Sequence, residues 1–258
     1  MSEMNIDQWL DYLSHKFKEE FSETNIPDWQ CPHCLKGILK LKTNSLNFTE
    51  TPKSKKERKH DDWEIEWVHY LYTCTFYCPH CEAETVSCGT GRIQVFHSCQ
   101  PEDEYYEEVN FFTPTHFQPA LQLLEIPEKC SEHVRNTLMG SFSVAWADLP
   151  SACNKLRVAT EKLVHDLSPS LFKKRSTLHQ RIEQLAETHP ETANRLMAIK
   201  WIGNSASHDD NLQEHDLAFG YKIMGKVLAE LYSETDQYLD EQVELVNAAK
   251  GSIIKTKN

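Results

Sequence analysis

Two four-residue strings in this chain carry the same chemistry. Cys31-Pro32-His33-Cys34 and Cys78-Pro79-His80-Cys81 each set two thiols three positions apart. A pair at that spacing wraps one metal ion from a tight knuckle. Two such knuckles close a tetrahedron of thiolates around zinc at ~2.3 Å. A four-thiolate set leaves no open coordination position, so the expectation is one structural Zn2+ per chain, held by Cys31, Cys34, Cys78 and Cys81. His33 and His80 sit inside the knuckles as possible replacements for a cysteine. Reduced core cysteines and a redox dithiol are the alternative readings of the pairs. Cys74, Cys88, His97 and Cys99 are irregularly spaced, which fits core cysteines better than a second site. No cysteine or serine stands out as an activated nucleophile, which leaves a cysteine or serine hydrolase unsupported.

Two other stretches bear on function. Lys53, Lys55, Lys56, Arg58 and Lys59, with His60, form a basic insertion between the knuckles. It reads as a solvated loop or as a flexible basic finger that touches phosphates. Trp63, Ile65 and Trp67 follow on one expected strand face, where they stack bases or pack in a core. The other stretch is Lys200-Trp201-Ile202-Gly203-Asn204-Ser205-Ala206-Ser207-His208. Its plain explanation is a helix junction. Gly203 suits the left-handed residue that ends a helix. Asn204, Ser205 or Ser207 can cap the next turn, and His208 can bond a backbone carbonyl.

The elements that must position these residues follow from periodicity. Ile6, Trp9/Leu10, Leu13, Phe17 and Phe21 recur at helical spacing, so an amphipathic helix opens the chain, docked on its own protein or on a partner. Ile38, Leu39 and Leu41, then Trp63 to Trp67, then Tyr70, Tyr72 and Phe76 alternate like strands. Thr85-Val86-Ser87 and Ile93 to Phe96 read as a hairpin turned at Gly89-Thr90-Gly91. The acidic run from Gln100 to Glu108 marks a boundary. Helices then follow: one opening at Pro127 with Val134, Leu138 and Phe142; one from Leu149-Pro150, where Arg157 and Glu161 stand one turn apart and can pair. A third carries Leu178, Ile182 and Leu185, and a fourth ends at Gly203. A last one runs from about Leu212 through Leu231 and on towards Val246. The resulting map is an N-terminal helix at 1–22, a β module at 23–110, a helical region at 111–250 and a frayed tail at 251–258.

Charge narrows the partners. The 258-residue chain has 27 Lys and Arg against 39 Asp and Glu, a formal net charge of −12, which argues against a protein that coats nucleic acid with its whole surface. No apolar run reaches the ~20 residues of a membrane span. No signal peptide is visible at Met1-Ser2-Glu3-Met4-Asn5, and the nine cysteines are an odd count, so a reducing, cytoplasmic setting without membrane contact is expected.

Residues from roughly 119 to 232 resemble the HEPN-like helical superfamily, in particular a zinc-ribbon-bearing branch associated with restriction and anti-phage defence. Pro127, the Arg157-x-x-x-Glu161 helix, and Trp201-Ile202-Gly203-Asn204 with His208 carry the resemblance. The expected chain is α+β: the N-terminal helix and zinc-ribbon-like β module read above, followed by an all-α bundle that the resemblance makes HEPN-like. Active members of the superfamily carry an arginine, usually a polar residue next, and a histidine five positions after the arginine. Asn204 and His208 match the latter two, and Gly203 stands where the arginine belongs. An active member would cleave RNA without a metal, with a histidine as general acid or base. His208 would take that role here, with Lys200 or Arg195 as a substitute cation. Loss of the arginine removes the group that holds the scissile phosphate, and so favours a non-catalytic or degenerate protein. The resemblance also implies a homodimer through the helices. The expected function is that of an accessory or sensor component that binds nucleic acid or a larger defence effector. The alternatives are a metal-independent ribonuclease toxin using His208, and a structural interaction protein bound to a larger effector.

Overall fold

The protein is described from a computed structural model, over residues 19–97, 106–169, 176–205, 212–232 and 247. Strands come first: β1 (Lys40–Leu41), β2 (Asn47–Glu50), β3 (His69–Tyr77), β4 (Glu84–His97) and β5 (Tyr106–Gln118). They form one antiparallel sheet in the order β1-β3-β4-β5, and β2 shares the outer edge of β3 with β1. A short helix α1 (Pro52–Glu57) interrupts the strands. Five helices follow: α2 (Glu132–Ala145), α3 (Leu149–Leu167), α4 (Leu178–Leu185), α5 (Pro190–Ser205) and α6 (Glu214–Tyr232). Among the described residues, no helix is long and apolar enough to cross a membrane.

This corrects the expected architecture. The β part is not a zinc-ribbon-like module but a curled sheet whose β4 and β5 run 14 and 13 residues. The reason lies in its side chains. Alternation along β3 sends Tyr72, Cys74 and Phe76 inward and leaves Leu71, Thr73 and Tyr77 on the outer face. The inner face has its own aromatic core, in which Phe21 meets Tyr72 and Phe76 edge-on, at 5.3 and 5.4 Å. The N-terminal helix expected over residues 1–22 lies outside the described residues as far as residue 18. Phe21, placed on that helix by its spacing, instead bridges to Phe112, donating and accepting backbone hydrogen bonds of 2.9 and 2.8 Å.

β4 shows why the expected turn at Gly89-Thr90-Gly91 does not exist. The strand passes straight through these residues, paired on both sides. A Cβ on Gly89 would lie 2.1 Å from the carbonyl oxygen of Thr113, and one on Gly91 would lie 2.8 Å from the Phe112 ring. The glycines let β5 approach, and the register shift at Cys88/Gly89 bends the sheet there. β5 continues to Gln118, so the boundary expected near residue 110 falls inside a strand.

The helices follow their apolar stripes with adjusted ends. α2 starts at Glu132 after Ser131, five residues beyond the expected Pro127. α3 is capped by Asp148, whose carboxylate accepts from the Ser151 N–H and hydroxyl. Those bonds hold its pKa below the ordinary carboxylate value. α4 begins with a complete capping box between Thr177 and Gln180. Inside the bundle, the Tyr221 and Ser141 hydroxyls lie 2.7 Å apart, and Ser141 donates to the Ala152 carbonyl at 2.7 Å. The core is continuous from sheet to helices. Trp146, at the end of α2, packs against Phe117 of β5 at 5.0 Å and Trp29 at 6.2 Å.

Candidate metal centre

The two knuckles are built alike. In the first, Leu35 N–H donates to the Cys31 carbonyl at 3.0 Å. In the second, Glu82 N–H donates to the Cys78 carbonyl at 2.8 Å. Each turn closes through a left-handed residue just after its second cysteine, Leu35 (φ 53°) and Glu82 (φ 61°). Trp29 and Leu39 anchor the first knuckle, since Leu39 N–H donates to the Trp29 carbonyl at 2.8 Å. Phe76 on β3 anchors the second. Local turn geometry and the aromatic core together bring the four thiols to one place.

The four sulfurs lie within 4.8 Å of one another. Cys31 and Cys81 Sγ are 3.7 Å apart, as are Cys34 and Cys78 Sγ. Four sulfurs at ~2.3 Å from one ion form a tetrahedron with edges of about 3.8 Å, so the observed spacing fits a metal. It is far from the ~2.05 Å of a disulfide. The cluster can hold a metal ion. Backbone N–H groups aim at its sulfurs, from His33 to Cys31 and from Gly37 to Cys34, both at 3.4 Å. The donors at Gly37 and Lys36 hold the Cys34 thiol down to about 6, whereas burial pushes Cys31 up. His33 is not aimed at the ion. Its Nε2 donates to the Glu84 carbonyl at 3.3 Å.

Gly37 fixes the distance between the knuckles. A Cβ there would sit 2.4 Å from Cys78 Sγ and 2.9 Å from His80 Cβ. Gly37→Ala is therefore expected to push Cys78 out of the tetrahedron and weaken metal binding at least tenfold. Competition with a chromogenic chelator reads this directly, and an affinity equal to the parent's would refute the packing argument.

Of the remaining described cysteines, Cys74, Cys130 and Cys153 are interior side chains and Cys88 is half-buried. Burial pushes Cys74 and Cys153 up to about 12, and Cys130 is buried as well. Cys99 lies outside the described residues. The basic insertion is not a flexible finger. Thr51 caps α1 and Pro52 opens it. Glu50 on β2 accepts from Arg58 Nε and Nη2 at 2.8 and 2.9 Å. Lys53, Lys55, Lys56 and Lys59 remain solvent-facing around that turn. Ile65–Trp67 is a turn of 3-10 helix and not a strand face.

At the helical junction the expected residues part company. His208 lies outside the described residues. α5 does not stop at Gly203 but runs on to Ser205. Asn204 is half-buried in its last turn. Lys200 is buried, and its ammonium sits 3.3 Å from the Trp201 ring centroid. Arg195 pairs with Glu230 across to α6. Glu161 does not pair with Arg157. It accepts from Arg181 Nη1 at 2.8 Å, because α4 brings that guanidinium across. Sequence reasoning missed Arg181 here, since only the packing of α4 against α3 brings it to Glu161; Asn154 meets Arg157 Nε one turn back on α3, at 3.4 Å.

An open hollow of about 1000 Å³ lies where the first knuckle, residues 121–125 and α6 meet. Leu35, Leu124, Lys222 and Lys226 are among its walls. No thiol or hydroxyl nucleophile stands beside a base among its described lining residues.

A curled sheet clipped by four thiols and followed by a helical bundle is the class of protein these features define. Comparison with known families matches the sheet and most of the helices to two separate models. Residues 19–117 match a domain of unknown function (DUF8608), and residues 141–256 match another domain of unknown function (DUF4145). The first match ends one residue before β5 does. No curated protein and no solved structure matches the chain.

Proposed function

We propose that the protein is a non-catalytic, zinc-containing accessory component that binds nucleic acid, with a helical half related to the HEPN-like superfamily and a role in restriction or anti-phage defence. The observation that carries this reading is the packing at Gly203. A Cβ at that position would lie 2.6 Å from Arg157 Cβ, so the backbone there is closed to an arginine side chain. The group that would hold a scissile phosphate cannot stand where the superfamily puts it. Zinc is the metal of choice for four thiolates in a reducing setting, and a closed set serves structure, not hydrolysis. A homodimer through the helices belongs to the same reading, as does the lysine cluster of α1 as a second contact for phosphates.

The test is an RNA-cleavage assay on zinc-loaded protein without added divalent metal, over tRNA, mRNA and single-stranded oligonucleotides, with His208→Ala in parallel. The expected result is binding without cleavage, identical in both proteins. Cleavage by the parent that disappears in His208→Ala would replace this reading with that of a metal-independent ribonuclease.

A further inference from the structure

The chain is pinned to the sheet at Glu20 and Phe21. The Glu20 carboxylate accepts from Arg92 Nε and Nη2 at 3.1 and 2.6 Å and from the Thr113 hydroxyl at 3.0 Å. Phe21 pairs with Phe112 on β5. One residue earlier, Glu19 already belongs to the wall of the open hollow between the first knuckle and α6. Residues 1–18, which lie outside the described residues, are therefore tethered at the edge of that hollow.

The hollow measures about 1000 Å³ and offers an apolar surface that is not covered. Leu35 is its clearest part. This side chain is 38 % exposed, on a backbone in the left-handed region at φ 53°, where a bulky residue is an outlier. Leu121 and Leu124 also line the hollow. Lys222 and Lys226, one turn apart on α6, add positive charge, and Lys226 also reaches Glu230 at 3.1 Å.

The tethered segment carries the complementary pattern. Ile6, Trp9, Leu10, Leu13 and Phe17 recur at helical spacing as an apolar stripe, and such a stripe needs a surface to cover. Glu3 and Asp7, one turn apart, flank the stripe and match the two lysines in sign and spacing. A tether this short gives the segment an effective concentration at the hollow on the order of millimolar, which a free partner must exceed to displace it.

We infer that residues 3–18 form an amphipathic helix that lays this stripe into the hollow of its own chain and straps the first knuckle to α6. Release of the strap would uncover an apolar surface beside the four-cysteine cluster.

The experiment uses the full-length, metal-loaded protein with the photoreactive benzoylphenylalanine in place of Trp9. Irradiation is followed by denaturing electrophoresis and mass spectrometry of the peptides. The expected cross-link joins position 9 to residues 121–125 or 218–226 in a monomer-sized band. The same cross-link in a dimer-sized band would make a second copy the occupant and overturn the assignment. A cross-link to other residues, or none, would overturn it as well. Hydrogen–deuterium exchange gives a second reading. When Leu10→Asp is combined with Leu13→Asp, amides of residues 121–125 and 218–226 are expected to exchange about tenfold faster, while those of β3 and β4 keep the parent's rate. Gln8→Glu, on the far side of the expected helix, should change neither. Unchanged metal content in the double variant separates release of the segment from unfolding of the sheet. Parent-like exchange at residues 121–125 and 218–226 in that variant would overturn the inference.

Discussion

Cys78→Ser is expected to abolish metal binding at the four-cysteine cluster and to melt the sheet with it. Cys78 is fully buried, two residues from Phe76 on β3, and its sulfur lies 3.7 Å from that of Cys34. A structural zinc site contributes on the order of 10–16 kcal/mol of binding free energy at neutral pH, against a total stability of about 5–15 kcal/mol for a domain. Loss of one thiolate in four removes most of that contribution. The damage then spreads by a specific route. The first knuckle follows directly from Trp29, and Trp29 packs on Phe76 at 5.4 Å and on Phe117 at 5.1 Å. Freed from the ion, the knuckle no longer holds the indole in place. The shared core predicts that the helices lose stability as well. Elemental analysis should fall from one metal per chain to none, and near-ultraviolet dichroism should collapse. Cys74→Ala is the control. Cys74 is buried on the same strand but is not one of the four, so its variant should keep the metal. Full metal content in Cys78→Ser would show that the ligand set is wrong.

Acid should act on the same centre. Within the cluster the N–H donors of Gly37 and Lys36 hold the Cys34 thiol down to about 6. Burial pushes Cys31 up, and Cys81, despite the Ala83 N–H, is pushed up to about 12 by desolvation and its neighbouring sulfurs. The acid effect is therefore that of Cys34 alone. A depressed pKa contributes stability above the unfolded thiol value and loses it as pH falls through the folded value. Metal release follows the same direction, because protons compete with the ion for sulfur.

What could be read from the sequence was what depends on near neighbours. The knuckles were legible because ligand chemistry fixes their spacing within four residues. The alternation of β3 and the stripes of α3 and α4 were legible because burial of one face imposes a short period. Glycine misled wherever its reason was tertiary. Gly89 and Gly91 read as a turn, but they accommodate β5. Gly203 read as a helix stop, but it accommodates Arg157. Arg157 and Glu161 stood at the right spacing to pair, and a guanidinium from another helix took the carboxylate instead. Trp29 gave no periodic signal in its polar loop. Its burial is decided by Phe117 and Trp146, which lie 88 and 117 positions downstream.

That last contact sets the second large effect. Trp146→Ala is expected to cost about 3–5 kcal/mol, the range for deleting a large buried aromatic side chain. For a chain of this size this lowers the melting temperature on the order of 10 °C. The more telling consequence is for cooperativity. Trp146 is nine-tenths buried at the end of α2, and its ring meets Phe117 from the sheet and Trp29 from the knuckle segment. Without that contact, the sheet with its four-cysteine cluster and the helices retain their own interiors but lose packing that couples them. Calorimetry should show one transition in the parent and two in the variant, and only the sheet's transition should move on adding a chelator. Phe142→Ala separates coupling from simple destabilisation. Phe142 is buried within the bundle against Tyr221 at 5.2 Å. Its loss should lower stability by a similar amount yet leave a single transition. A single transition in Trp146→Ala at the parent's temperature would mean that the two halves are joined elsewhere.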